Sequence, residues 1–379
     1  MFKILKNAWG IPELRKKMLY TLLLLVVFRF GSVIPVPWLD SAALASWVQE
    51  GGNTIFNIMD MFSGGALSQA TIFAMGISPY INSSIIMQLL SVAIPALERL
   101  SKEGEEGRKK ISKITRYLTV ALAFVQGAGL YIGLNNAGAV SNPGVFTFFV
   151  IVLSFTAGTA FLMWLGEEIT EKGIGNGISM IIFAGIVSRI PHMAMAIWQT
   201  FVGGDSKNYL AVLLILVFAV LIIGFVVLFN NGERRIPVQY AKRVVGRKMY
   251  GGQSTHIPIK VSGAGVIPII FAMSIMAFPG TVASFFGKTA ESTGFWGGFL
   301  SVFSPDSWIY AVLYFLLIIF FTYFYTAIQF NPIEMSNNMK KNGGFIPGIR
   351  PGKPTSDYLN SILNHIVLIG AIGLIIVAV

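Results

Sequence analysis

The sequence predicts an all-α polytopic membrane protein, and three observations carry that prediction. Only 12% of its 379 residues are charged and 54% are hydrophobic, whereas a soluble domain carries roughly 25% charged residues. The mean hydropathy of +0.70 is spread along the whole chain, which excludes a soluble enzyme with a single anchor. About nine windows approach the roughly 20 apolar residues that a helix needs to cross a bilayer core of about 30 Å. There is no cysteine, so neither a disulfide framework nor a thiolate site is available. The opening MFKILKNAWG lacks the apolar run and small-residue cleavage site of a signal peptide, so it is expected to be retained.

In chain order, residues 1–17 carry five cations and precede span 1 at 18–36. Arg29 falls in the outer half of that span, where its long stem predicts snorkelling outward. The stretch 53–70 then behaves unlike an outer loop. Its apolar pattern begins at Ile55, breaks at Ser63, Gly64 and Gly65, and resumes as span 2 near Ala70, running to 92. This pattern predicts a short amphipathic helix folded back on a glycine hinge. Irregular backbone at that depth needs protein or a water-filled cavity around it, although an interfacial helix lying on the surface has the same pattern. Span 2 places Ile81 and Ile85 on one face, and residues 93–116 return with seven cations.

Spans 3 and 4 follow at 117–134 and 145–166, then the short loop 167–176, which runs into the glycine-rich GIGNG at 173–177 that suits closely packed helices. Span 5, 177–197, repeats the isoleucine spacing with Ile182 and Ile186, and its Arg189, Pro191 and His192 read as interfacial. Span 6 covers 209–229. Residues 230–263 alternate Ile, Val and Tyr with cations, which predicts a two-stranded ribbon with a basic face. Span 7, 264–284, has Ile270 beside Pro268. Span 8 covers 308–329, residues 330–358 pack Gly and Pro around Arg350, and span 9 is 359–379.

Lys and Arg in short loops stay on the cytoplasmic side, and acidic residues count for little. With the N-terminus inside, 24 of the 28 cations fall on inner segments, and the outer loops keep Lys207 and Lys288. Retention alone needs few cations, and the seven in 230–263 predict a surface for an anionic partner or lipid headgroups.

Chemistry has little support. The string from Gly280 to Thr289 resembles a phosphate-binding loop, but six residues separate Gly280 from Gly287 where that motif needs four. His192, His256 and His365 lack metal-ligand spacing. No enzyme activity, metal or cofactor is therefore expected. An intramembrane protease would need Ser78 and His365 face to face. A secondary transporter of small solutes would need ionisable groups near the midplane, and the spans hold almost none. Each isoleucine pair is compatible with lipid contact, and only a converging set would form a constriction.

Eight strings decide between these readings by resemblance. FRFGSVIPVP, FNIMDMFSGGALS, GISPYINSSIIMQLL, KEGEEGRKKISKITRY, GIGNGISMIIFAGI, ERRIPVQYAKR, QSTHIPIKVSGAGVIPIIFA and GGFIPGIRPGKPT closely resemble the SecY family of protein-conducting channels, collinearly over essentially the whole chain. The resemblance implies two pseudo-symmetric inverted halves, residues 1–200 and 201–379, with a pore between them and a lateral gate of spans 2 and 3 against 7 and 8. It implies a pore ring of Ile81, Ile85, Ile182, Ile186 and Ile270. It implies a plug over about 55–70, including Ile55, Phe56, Asn57, Met61, Phe62, Ser63, Gly64 and Gly65. Gln88 and Gln126 match polar gate positions. Arg234, Arg235, Lys242, Arg243, Arg247, Lys248 and Arg350 match docking positions for the ATPase SecA and the ribosome. The implied partners also include SecE- and SecG-type small membrane subunits, secretory preproteins with their signal sequences, and membrane lipids. The family has ten spans, so the end at Val379 is expected to reflect truncation before a tenth. The implied location is a bacterial plasma membrane.

The absence of cysteine makes the predicted sidedness testable. In intact cells a membrane-impermeant maleimide is expected to label Lys207→Cys, and to label Arg234→Cys only after permeabilisation. The reverse pattern would invert the topology.

Overall fold

A computed structural model describes residues 9–44, 60, 63–202, 206–240, 243–245, 248–250, 254–285, 295–304 and 307–378. The chain divides into two compact units, one of Met1–Gln199 with Ala277–Ser307 and the other of Thr200–Met276 with Trp308–Val379. Helix occupies part of every predicted window. Among the described residues six helices are long and apolar enough to cross a membrane, or seven when one bent pair counts as a single span. Helix α1, Pro12–Gly31, is not among them, since it carries Arg15, Lys16, Lys17 and Arg29.

In the first unit, helix α2 covers Ser78–Ala93 and starts with Pro79 in its first turn, where a missing N–H costs nothing. It ends at Ile94, held extended at φ −107° and ψ 114° because the next residue is a proline. Helix α3, Pro95–Lys102, therefore leaves at 102° to α2, with a Glu98–Lys102 ion pair along its exposed surface. Helices α4 (Glu105–Asn136) and α5 (Val145–Lys172) pack side by side. Between them Arg116 Nε donates to Glu167 Oε1 at 2.8 Å. The Tyr20 hydroxyl of α1 donates to Glu168 Oε1 at 2.7 Å, and Lys172 pairs with the same carboxylate.

Asn176 then caps helix α6, Gly177–Ser188, accepting from the Ser179 N–H. Gly173 and Gly177 of GIGNG serve close packing, since a Cβ would lie 2.5 Å from Thr21 Oγ1 and 2.0 Å from the Gly166 carbonyl oxygen respectively, whereas Gly175, at φ +73°, has open space around it. Helix α7, Ile190–Val202, continues after Arg189.

The largest departure from expectation lies between the first two spans. The apolar run from Ala70 to Ile77 forms turns, and helix begins only at Ser78. Ala70 at φ 55° and Gly76 at φ 55° break any helical path, and the run is packed inside the unit. Phe73 stacks between Phe28 and Phe161, each 6.0 Å away. Its backbone is paired with the extended segment after α1, through Val36 N–H to the Ala70 carbonyl and Ile72 N–H to the Ile34 carbonyl. Hydropathy cannot separate such a buried irregular run from a helix.

In the second unit, helix α8 spans Ser206–Asn231, and its apolar window from Val212 is almost entirely exposed. The predicted ribbon follows, as strand β1 (Glu233–Tyr240), the short hairpin β2 (Arg243–Val245) and β3 (Lys248–Tyr250), and strand β4 (Ser254–Lys260). Strands β1 and β4 pair antiparallel from Glu233↔Lys260 to Gln239↔Ser254. Helix α9 is Ile267–Phe285, of which the part to Met276 belongs to this unit, while the rest of it and α10, Phe295–Val302, belong to the first unit. Helix α11 (Trp308–Gln329) contacts α9 through the edge-to-face pair Phe271–Phe321.

The stretch after α11 contains a helix that its Gly and Pro content concealed. Asn331 caps α12, Pro332–Lys341, accepting from the Ile333 and Glu334 N–H groups. Strand β5, Gly344–Phe345, then adds to β1 opposite Gln239 and Tyr240. Helix α13, Lys353–Ala378, packs on α11 and α12.

The packing predicts one stability difference. A Cβ on Gly158 would sit 2.0 Å from the Ile72 carbonyl oxygen, whereas nothing lies within 4 Å of one on Gly224. Gly158→Ala is expected to destabilise by about 1–3 kcal/mol. Gly224→Ala is expected to leave stability unchanged or raise it by up to about 1 kcal/mol. Thermal unfolding in detergent, followed by near-UV circular dichroism, reads both, and equal shifts would contradict the packing.

Candidate functional site

The described part of the re-entrant segment forms a clamp around Asp60. This residue is buried, with its side chain 4% exposed, and Arg189 Nη2 donates to its Oδ2 at 2.6 Å. The Ser68 N–H donates to Oδ1 at 2.8 Å. The Asp60 carbonyl accepts from the Gly65 N–H at 2.8 Å and from the Ser63 hydroxyl at 3.1 Å. Arg29 Nη1 donates to the Gly64 carbonyl at 3.2 Å. Thus neither arginine behaves as its position in the sequence predicts. Arg29 does not simply snorkel outward, and Arg189 is more than an interfacial charge. Both are drawn to this turn because each finds a fixed acceptor there, and a charge in apolar surroundings gains most from a partner.

The turn rests on the last turn of α6. Gly64 has φ +70°, and a Cβ there would stand 3.0 Å from both Gly185 Cα and Ser188 Oγ. Arg189 is the C-cap of α6, where the negative end of the helix dipole favours a cation.

Of the expected plug residues, Ser63, Gly64 and Gly65 are buried in this turn. Ile55, Phe56, Asn57, Met61 and Phe62 lie outside the described residues. Sequence reading passed over Asp60, although a lone carboxylate in the apolar run NIMDMF was itself a signal.

The isoleucines divide between the two units. In the first, Ile81 of α2 and Ile182 of α6 flank one buried cluster that includes Phe28, Phe73, Leu162 and Ile181. Ile85 is buried and Ile186 is exposed. Ile270 is half-buried on α9 in the second unit. Gln88 on α2 and Gln126 on α4 are both half-buried, on helices that pack together. Ser78 is half-buried at the start of α2, while His365 is exposed on α13 of the second unit and donates from Nδ1 to its own helix, at Ser361, over 2.6 Å. Among the described residues no group of three or more His, Asp or Glu could hold a metal ion.

Of the basic candidates of the second unit, Arg234 and Arg235 lie on a ribbon that packs on α12 and α13. Ile236, Val238 and Ile259 of the ribbon are buried with Met339, Ile346, Leu359 and Leu363. The alternate positions on β1 face out, including Arg235, which pairs with Glu233 at 2.6 Å. Arg234 is exposed at the base of the strand. Arg350 is exposed in the turn before α13, where its carbonyl accepts from the Thr355 hydroxyl at 2.9 Å. The β2–β3 hairpin carries Arg243 and Lys248. Lys242 and Arg247 lie outside the described residues.

Comparison with known proteins gives a consistent result. The family model described as SecY matches residues 71–379. The protein translocase subunit SecY of Escherichia coli (strain K12) is 49% identical over 369 residues, covering 96% of this chain and 82% of that protein. The subunit of the same name from Halalkalibacterium halodurans is 47% identical over 386 residues, covering 100% and 88%. Among solved structures, one described as a protein conducting channel has a TM-score of 0.62 at 19% identity, covering 95% of this chain and 84% of that one. Another, described as showing that the SecY plug domain stabilises the closed state and maintains a membrane seal, has a TM-score of 0.63 at 20% identity, covering 96% and 85%.

Proposed function

Because the chain belongs to the SecY family, we propose that it is the pore-forming subunit of a protein translocase, a channel and not an enzyme. It passes unfolded secretory polypeptides across the membrane and releases transmembrane segments sideways into lipid. The observation that supports the reading, beside the family, is the turn at Asp60, a buried irregular backbone of the kind that a membrane protein tolerates only where protein encloses it. Ile81, Ile85, Ile182, Ile186 and Ile270 form the ring through which the chain threads. Branched apolar side chains fit this role because they close around an extended peptide without hydrogen-bonding it, and a dewetted constriction resists ions. The segment 55–70 stops the outer funnel at rest. An entering signal sequence parts the gate, with Gln88 and Gln126 among its polar positions, and displaces the stopper.

The protein sits in a bacterial plasma membrane with its N-terminus in the cytoplasm, the orientation that places 24 of 28 cations inside. No nucleotide-binding motif supports an internal energy source, so work is supplied by partners. SecA and the ribosome dock on the two basic loops of the second half, through Arg234, Arg235, Lys242, Arg243, Arg247, Lys248 and Arg350. SecE- and SecG-type subunits complete the complex in the membrane.

Two measurements test this reading. A stalled secretory chain carrying a photoreactive residue is expected to crosslink at Ile85 and Ile186, and labelling of lipid alone would overturn the channel assignment. Charge reversal at Arg247, Lys248 and Arg350 together is expected to weaken SecA or ribosome binding several-fold at low salt, with the difference shrinking as ionic strength rises. Unchanged affinity at low salt would remove the docking assignment.

A further inference from the structure

We propose that the Asp60–Arg189 ion pair, backed by Arg29, is the latch that holds the re-entrant turn on α6, so that Arg189 and Arg29 are positioning residues for the ion-tight resting state. The proposal rests on the reading above, in which this segment stops the channel at rest. Both carboxylate oxygens of Asp60 are engaged, Oδ2 by the Arg189 guanidinium at 2.6 Å and Oδ1 by the Ser68 N–H at 2.8 Å. One side chain thereby ties the C-terminal part of the turn to the end of α6. Arg29 adds an independent tie from α1, through the Gly64 carbonyl at 3.2 Å.

The geometry leaves the turn little freedom to lift while the pair is intact. At Gly64 the backbone already touches Gly185 and Ser188 of α6, and Asp60 is shielded from water with its side chain 4% exposed. Removing the arginine would leave a buried carboxylate without its counter-charge, which strongly favours any state that hydrates it. A buried pair is also a two-way element. It is strong while the site is dry and weakens when water enters and raises the local dielectric.

The latch lies on the same helix as part of the ring. Ile182 and Ile186 are on α6, and Arg189 closes that helix. A chain that pushes α6 aside therefore strains the pair directly. Water admitted by the first displacement weakens what remains, so opening is cooperative. The merely structural alternative, in which the pair only stabilises the first unit, makes no such link to the resting seal.

The test uses the full chain in its native membrane complex, reconstituted both into planar bilayers and into vesicles. Resting conductance is recorded without a translocating chain, and translocation of a secretory precursor is measured in parallel. Asp60→Asn, which nearly preserves shape, and Arg189→Gln are each expected to raise resting open events roughly tenfold, equivalent to about 1.4 kcal/mol. Arg189→Lys, which keeps the charge, is expected to stay near the parent, and Arg29→Gln to show a smaller rise. Unchanged conductance in both Asp60→Asn and Arg189→Gln, with translocation intact, would overturn the latch and leave the channel reading standing. Equal leak in Arg189→Lys and Arg189→Gln would also overturn it, since charge would not be the cause. A parent complex that moves no precursor would instead overturn the channel reading itself.

Discussion

The absence of water in the hydrocarbon core is the constraint on which the rest of the structure depends. Every N–H and carbonyl at that depth must find its partner in protein. Helices meet this requirement by themselves, so the chain is almost entirely helical between its loops. Among the described residues a departure is the stretch from Ser63 to Ile77, whose backbone is turns and bends apart from an isolated bridge at Thr71. It is tolerated because α1, α5, α6 and the segment after α1 enclose it and supply its hydrogen bonds and stacked rings. Packing around it is close enough that Gly158 admits no side chain. This non-helical backbone is thus enclosed by the first unit as a whole.

The same constraint explains which parts were legible in the sequence. Helix positions were readable because 20-residue apolar windows have few alternatives in a membrane, and helix is found in each window. The ribbon of β1 and β4 was readable from alternation, and its register buries Ile236 and Val238 while Arg235 faces out. Family resemblance added the identity of the chain, which composition and periodicity left open between a channel, a transporter and a protease. The start of span 2 was misread because Ala70 to Ile77 is as apolar as a helix, and hydropathy is silent about backbone conformation. Asp60, Arg29 and Arg189 were each visible as charges out of place. What no local pattern could show was that they meet, since Arg29 and Arg189 approach the turn from helices far apart in the chain.

The few ionisable groups at depth in the first unit bear on function as well as stability. A transporter site needs charged groups that stay available to a solute or an ion. In this unit the charges near the re-entrant turn are occupied by one another and by backbone carbonyls. The isoleucines that remain offer no hydrogen bond and no charge.

The pairing of β5 with β1 has a consequence for the order of biosynthesis. Tyr240 and Gly344 are neighbours in the sheet, but α9, α10, α11 and α12 lie between them in the chain. The three-stranded sheet therefore cannot be finished on a ribosome that has made only the ribbon. Its third strand appears after α11 has emerged, and the cluster joining the ribbon to Met339 and Leu359 closes later still. A partly synthesised chain carries an incomplete sheet, so the finished sheet is a record that α9 and α11 have already been made.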